Sequence, residues 1–149
     1  MSALLKKMIR VFSILCGTAA LFFIIIFFLH RQEIAVTPPF WSPWTWGVVL
    51  MVLSVTFGVA LPILIRTLFH SQAVRNKRVE FWRYEKLQLN LIIISVLGAF
   101  FACFAYLFLV TKFHLGASVL AGLYGIYSAI PVRRKIAADM KYYGLKDVE

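Results

Sequence analysis

The chain has 149 residues, 62% of them hydrophobic and only 15% charged, with a mean hydropathy of +0.85. That balance excludes an ordinary soluble domain and makes lipid the solvent of the fold. The net charge of +10 raises nucleic acid as a partner, but the basic residues sit at the ends of apolar runs, where topogenesis and anionic headgroups account for them, and no nucleic acid is expected.

The first apolar run, residues 11–29, would be about 28 Å long as a helix and is long enough to cross a bilayer. Lys6, Lys7 and Arg10 precede it. A signal peptide shares this pattern, but no small-x-small cleavage site directly follows Leu29, so an uncleaved anchor is expected. Phe22, Phe23, Ile24, Ile25, Ile26, Phe27 and Phe28 put bulk on every side of its outer half. Such a helix has no small face for close packing; it meets lipid or docks another subunit, with Phe23 and Phe27 as contacts.

Pro38, Pro39 and Pro43 exclude a regular helix between His30 and Thr45. Phe40, Trp41, Trp44 and Trp46 in and beside this segment suit a chain at the headgroup level, an aromatic belt rather than a ligand cage. The second run, residues 46–68, is polar only at Ser54, Thr56, Arg66 and Thr67. Pro62 removes an amide donor and clashes with the Gly58 carbonyl, which predicts a kink that sets shape rather than a hinge. The third run, residues 87–110, holds Asn90 and Ser95.

Between them Arg66, Arg75, Lys77, Arg78, Arg83 and Lys86 face only Glu80 and Glu85, with no proline or glycine. Val74, Phe81 and Trp82 recur near helical spacing, so both spans should continue as helices beyond the membrane. Arg75, Lys77, Arg78 and Trp82 form a patch suited to lipid or to a partner. Glu80 with Arg83, and Arg78 with Trp82, are helix-surface pairs.

The fourth run, residues 113–130, is the shortest, and the polar bridge Thr111, Lys112, Phe113, His114 implies an antiparallel hairpin with the third. Ala117, Ala121, Gly125 and Ala129 recur every four residues beside Ser118 and Gly122. The third run answers with Ser95, Gly98, Ala99 and Ala102. These small faces let backbones approach closely and predict a tight hairpin. After Pro131, Ile136, Met140 and Tyr143 set against Arg134, Lys135 and Lys141 predict a short amphipathic helix in the tail 131–149, ended near Gly144.

Of the 16 Lys and Arg residues, only Arg31 and Lys112 fall on the side of the Trp-rich loop. The asymmetry places the N terminus, the middle loop and the C terminus in the cytoplasm. No ionisable residue that marks proton-coupled transport lies inside a run, and the six acidic residues occupy loops or tails. Cys16 and Cys103 stand alone in apolar runs and form no CxxC pair. No catalytic residue and no cofactor follow. His30 and His114, both at the outer ends of spans, are the only weak candidates for a haem or metal pair; interfacial residues would look the same. His70 belongs to the other side.

The expected architecture is one all-α unit over residues 1–149, with four transmembrane helices, cytoplasmic helical extensions and a C-terminal amphipathic helix. The expected function is a non-catalytic accessory or scaffold subunit of a larger complex in the bacterial inner membrane. Its partners would be anionic lipid headgroups and other membrane subunits. The rivals are a small channel or transporter subunit, and a redox anchor with haem on His30 and His114.

Overall fold

The computed structural model describes residues 2–34, 36, 42–76 and 79–145. All regular structure among them is helical. Helix α1 is Ser2–Arg31; α2, Pro43–Val55, runs through a π-helical stretch, Thr56–Ala60, into α3, Leu61–Asn76; α4 is Phe81–Leu107, α5 Lys112–Ala129 and α6 Arg133–Tyr142. Three helical segments, Ala3–Arg31, Pro43–Val74 and Phe81–Leu107, are each long and apolar enough to cross a membrane. A fourth reaches that standard only if α5 and α6, bent by 65° at their junction, are taken together. The cause is composition: Lys112 and His114 lie in the first turn of α5, and Ser118, Gly122, Gly125 and Ser128 add little hydropathy.

Three boundaries differ from the sequence expectation. Helix α1 starts at Ser2, so Lys6, Lys7 and Arg10 ride on the helix. Helix α2 starts at Pro43, inside the segment expected to be irregular, because proline fits the first helical position and the Ser42 hydroxyl accepts the Thr45 amide at 3.3 Å. The turn before α5 lies at Phe108 to Thr111, which moves Lys112, Phe113 and His114 into the helix. There Leu109 takes φ +47. Its amide bonds the Tyr106 carbonyl and the Val110 amide the Ala105 carbonyl, the double closure that ends a helix in a left-handed residue. Pro38, Pro39, Phe40, Trp41, Lys77 and Arg78, and the side chain of Arg75, fall outside the described residues.

Helix α4 is central. It packs against α1 on one side, against α2, the π stretch and α3 on another, and most extensively against α5. Small residues of α4 and α5 lie close together: a methyl placed on Gly122 would lie 3.0 Å from the Ala99 Cα, and one on Gly125 2.6 Å from the Ser95 carbonyl oxygen. The second span joins it at Gly58. A methyl on Gly98 would lie 2.7 Å from the Gly58 Cα, and one on Gly58 2.6 Å from the Ala121 carbonyl oxygen. Three backbones therefore meet at one level, closed by Ser54, whose buried hydroxyl donates to the Gly98 carbonyl at 2.6 Å with the Ser118 carbonyl at 3.2 Å.

The irregularity expected at Pro62 is the π stretch itself. The Leu61 amide bonds the Thr56 carbonyl, five residues back. Widening the turn before the proline accommodates a ring that would strike the Gly58 carbonyl in a regular helix. Two apolar clusters flank the glycine level. One gathers Leu50, Ala105 and Val110 with Trp46 and Phe108; the other gathers Leu4, Met8, Tyr84, Ile92, Ala129, Ile136 and Met140.

Candidate functional site

The end of the bundle that carries most of the basic residues is built around α6. The bend after Ala129 turns α6 across the bundle end, and Ile136 and Met140, one turn apart, bury themselves against Leu4 and Met8 of α1. Tyr84 and Gln88, also one turn apart, rise from α4 to meet it. The Tyr84 side chain has no exposed surface; its hydroxyl donates to the Asp139 Oδ2 at 3.2 Å, and the Gln88 amide donates to the same oxygen at 3.4 Å. Asp139 is thus drawn into the bundle end rather than left in a solvated tail. Lys7 on α1 and Glu85 on α4 tie the same end with a 2.6 Å ion pair.

Beside this network lies a cavity of about 140 Å3 between α3, α4, α5 and α6. Its walls include Pro62, Ile63 and Arg66 from α3, Gln88 and Ile92 from α4, Tyr124 and Ser128 from α5, and Lys135 and Asp139 from α6. The Lys135 ammonium donates to the Ser128 carbonyl at 3.3 Å. Burial holds this ammonium below the ordinary lysine range, the positive charge of Arg66 pushes the same way, and Asp139 opposes both.

Midway along the bundle a second space, an open apolar groove of about 380 Å3, separates α1 from α5 over the surface of α4. Ala19 and Ala20 form one bank, Gly122 and Leu123 the other, and Ala99 and Ala102 the floor. Cys16 and Cys103 line it as free thiols. At its α1 edge Phe23 is 45% exposed and stacks on Tyr106; one turn further along α1, Phe27 is 47% exposed. Phe22 and Ile26 do not share that exposure: Phe22 meets Phe100 and Phe104, and Ile26 is 1% exposed. The bulky stretch of α1 is therefore sided.

The remaining residues singled out from sequence take separate positions. Trp44 is exposed and meets the His114 ring edge-on, whereas Trp46 packs against Phe108 within the apolar cluster. Trp82 is exposed, donates to the Glu80 carboxylate at 2.6 Å and lies under Arg83. His114 is buried, hydrogen-bonded to Thr111 and packed on Gly47. His30 lies against α4, edge-on to Tyr106, with Nε2 3.2 Å from the Leu107 carbonyl. A carbonyl only accepts, so Nε2 carries the proton. The two imidazoles are held by different helices and share no partner in these contacts. No group of three or more His, Cys, Asp or Glu among the described residues is placed to hold a metal ion.

Sequence reasoning missed Tyr84, Gln88 and Asp139, which look like scattered polar residues near span ends. Their traces were two i, i+4 pairs, Tyr84 with Gln88 and Lys135 with Asp139, on faces that also carry apolar residues. Comparison with protein families, characterised proteins and solved structures gave no match for this chain.

Proposed function

We propose that the chain is a non-catalytic accessory subunit that holds a transmembrane helix of a larger complex in the bacterial inner membrane. It would cross four times, with α5 as the short fourth span, α6 lying on the cytoplasmic surface and both termini in the cytoplasm. The orientation is supported by the distribution of Lys and Arg.

One observation carries the reading: the bundle leaves an open groove midway along its length, with Ala99 and Ala102 on its floor and Ala19, Ala20 and Gly122 on its banks among larger apolar side chains. In lipid, helices associate through close backbone approach, for which small residues are the recurrent device. Ala99, Ala102 and Gly122 already serve α4 and α5, and with Ala19 and Ala20 they offer the same surface to a further helix. Phe23 stands at its edge as a large anchor.

A photo-reactive side chain at Leu123, on the groove, should crosslink to one discrete membrane protein in native membranes. The same probe at Leu64 on α3 should not. Ala20→Trp, which fills the groove, should abolish the adduct while leaving insertion and thermal stability intact. A chain that yields no adduct from Leu123 and purifies alone from native membranes would refute the reading.

A further inference from the structure

The wedge between α3 and the bend that joins α5 to α6 brings two cations to a cavity lined by a single carboxylate. Arg66 and Lys135 both line the 140 Å3 cavity, and among the described residues neither is ion-paired. Asp139, the carboxylate on the same wall, is engaged by the Tyr84 hydroxyl and the Gln88 amide. The Lys135 ammonium donates once, to the Ser128 carbonyl, and keeps further donors for a ligand. Arg66 is exposed and Lys135 half-buried, so the repulsion of two like charges at one cavity falls mainly on Lys135 unless an anion lies between them. Burial and Arg66 hold the Lys135 ammonium below the ordinary range, and Asp139 offsets only part of this.

Size and shape narrow the anion. The cavity volume of about 140 Å3 is roughly ten times the 10–15 Å3 of such space that one water molecule needs, enough for a phosphoryl group with its ester oxygens and too small for a pair of acyl chains. Ile63 and Tyr124 line the same cavity and are 53% and 47% exposed on the outside of the bundle. They make an apolar lip between α3 and α5. An inorganic anion has no use for such a lip, whereas a phosphate ester with hydrocarbon chains would lay them across it.

We propose that this cavity is a headgroup site for an anionic phospholipid, its phosphate held between Arg66 and Lys135 and its acyl chains leaving over Ile63 and Tyr124. The site is separate from the apolar groove and does not depend on the docking reading. A specific lipid there would brace α6 against α3, two elements that do not otherwise share the polar network.

The test uses the purified full chain in neutral detergent, titrated with short-chain phosphatidylglycerol, with phosphatidylcholine of the same chains, and with inorganic phosphate, while thermal unfolding is followed. Phosphatidylglycerol should raise the melting temperature and bind about ten-fold or more tightly than phosphatidylcholine, the factor expected for a charge-assisted contact. Inorganic phosphate at the same concentration should give no shift. Arg66→Gln with Lys135→Gln should weaken phosphatidylglycerol about ten-fold or more. Arg31→Gln with Lys112→Gln, which removes the same charge at the other end, should leave it unchanged. Arg66→Gln alone alters an exposed side chain, leaves the fold intact, and should show a partial loss if the double variant fails to fold. Undiminished affinity in either Arg66 variant would overturn the site in favour of diffuse surface charge. Equal binding of phosphatidylcholine would reduce it to apolar contact, and the same stabilisation by inorganic phosphate would overturn the lipid assignment.

Discussion

Leu109 sits in left-handed backbone, φ +47, at the end of α4, and Glu33 does the same, φ +59, at the end of α1. A side chain in that region costs about 1–2 kcal/mol, partly offset by the extra freedom glycine has when unfolded. Leu109→Gly should therefore raise stability by about 1 kcal/mol, read as a higher melting temperature in detergent; an unchanged or lower value would show that the exposed leucine contributes through its side chain. Gly144, φ +63, was legible as a helix terminator because glycine advertises this conformation, whereas nothing in a leucine or a glutamate does. Lys135 supports a second prediction. An ammonium whose folded value is depressed destabilises the fold below that value, and the penalty disappears as pH rises toward the ordinary 10.5. Without anionic lipid, Lys135→Met should be more stable than the natural chain at neutral pH, and the gap should close as pH approaches 10.5. A gap of opposite sign would mean that the ammonium is already satisfied.

The packing of α4 on α5 was readable because small residues recur at helical spacing on both. The part played by α2 was less so. Gly47, Leu50, Ser54 and Gly58 are all buried and follow one stripe at spacings of three and four, but the π stretch inserts a residue per turn and the stripe cannot be followed beyond Gly58. The glycine level makes a sharp prediction. Gly98→Leu or Gly125→Leu should prevent normal folding, since even a methyl at either position meets backbone within 3.0 Å, and overpacking by more than a methyl costs about 1–3 kcal/mol or more. Leu123→Ile, on an exposed position, should be tolerated. A methyl on Gly116 would meet nothing within 4 Å, so Gly116→Ala should be neutral or stabilise α5 by up to about 1 kcal/mol. Expression and melting temperature of this set decide it: a Gly125→Leu chain as stable as the natural one would show that the backbones are not held in contact.

Across the molecule, the basic residues cluster at the end where α1 begins, α3 ends and α4 begins, and Arg31 and Lys112 stand at the other. Single cysteines at Ser42 and Ser71, both exposed, in a chain lacking Cys16 and Cys103, should react with a membrane-impermeant thiol reagent from opposite sides of the membrane; reaction of both from one side would overturn the orientation. Helical content and three of the apolar spans were evident from hydropathy alone. The way the bundle end closes was not, because it depends on contacts between residues far apart in the chain. Leu4 and Met8 pack with Ile136 and Met140, and the rest of α1 leans on α4, so both neighbours of α1 are translated well after it. During synthesis α1 must wait in the bilayer with its packing face uncovered, and the contacts that retain it are of high sequence separation and slow to form. A nascent chain arrested before residue 81, with neither α4 nor α6 made, should therefore present α1 to insertion factors or proteases in a form the finished protein conceals.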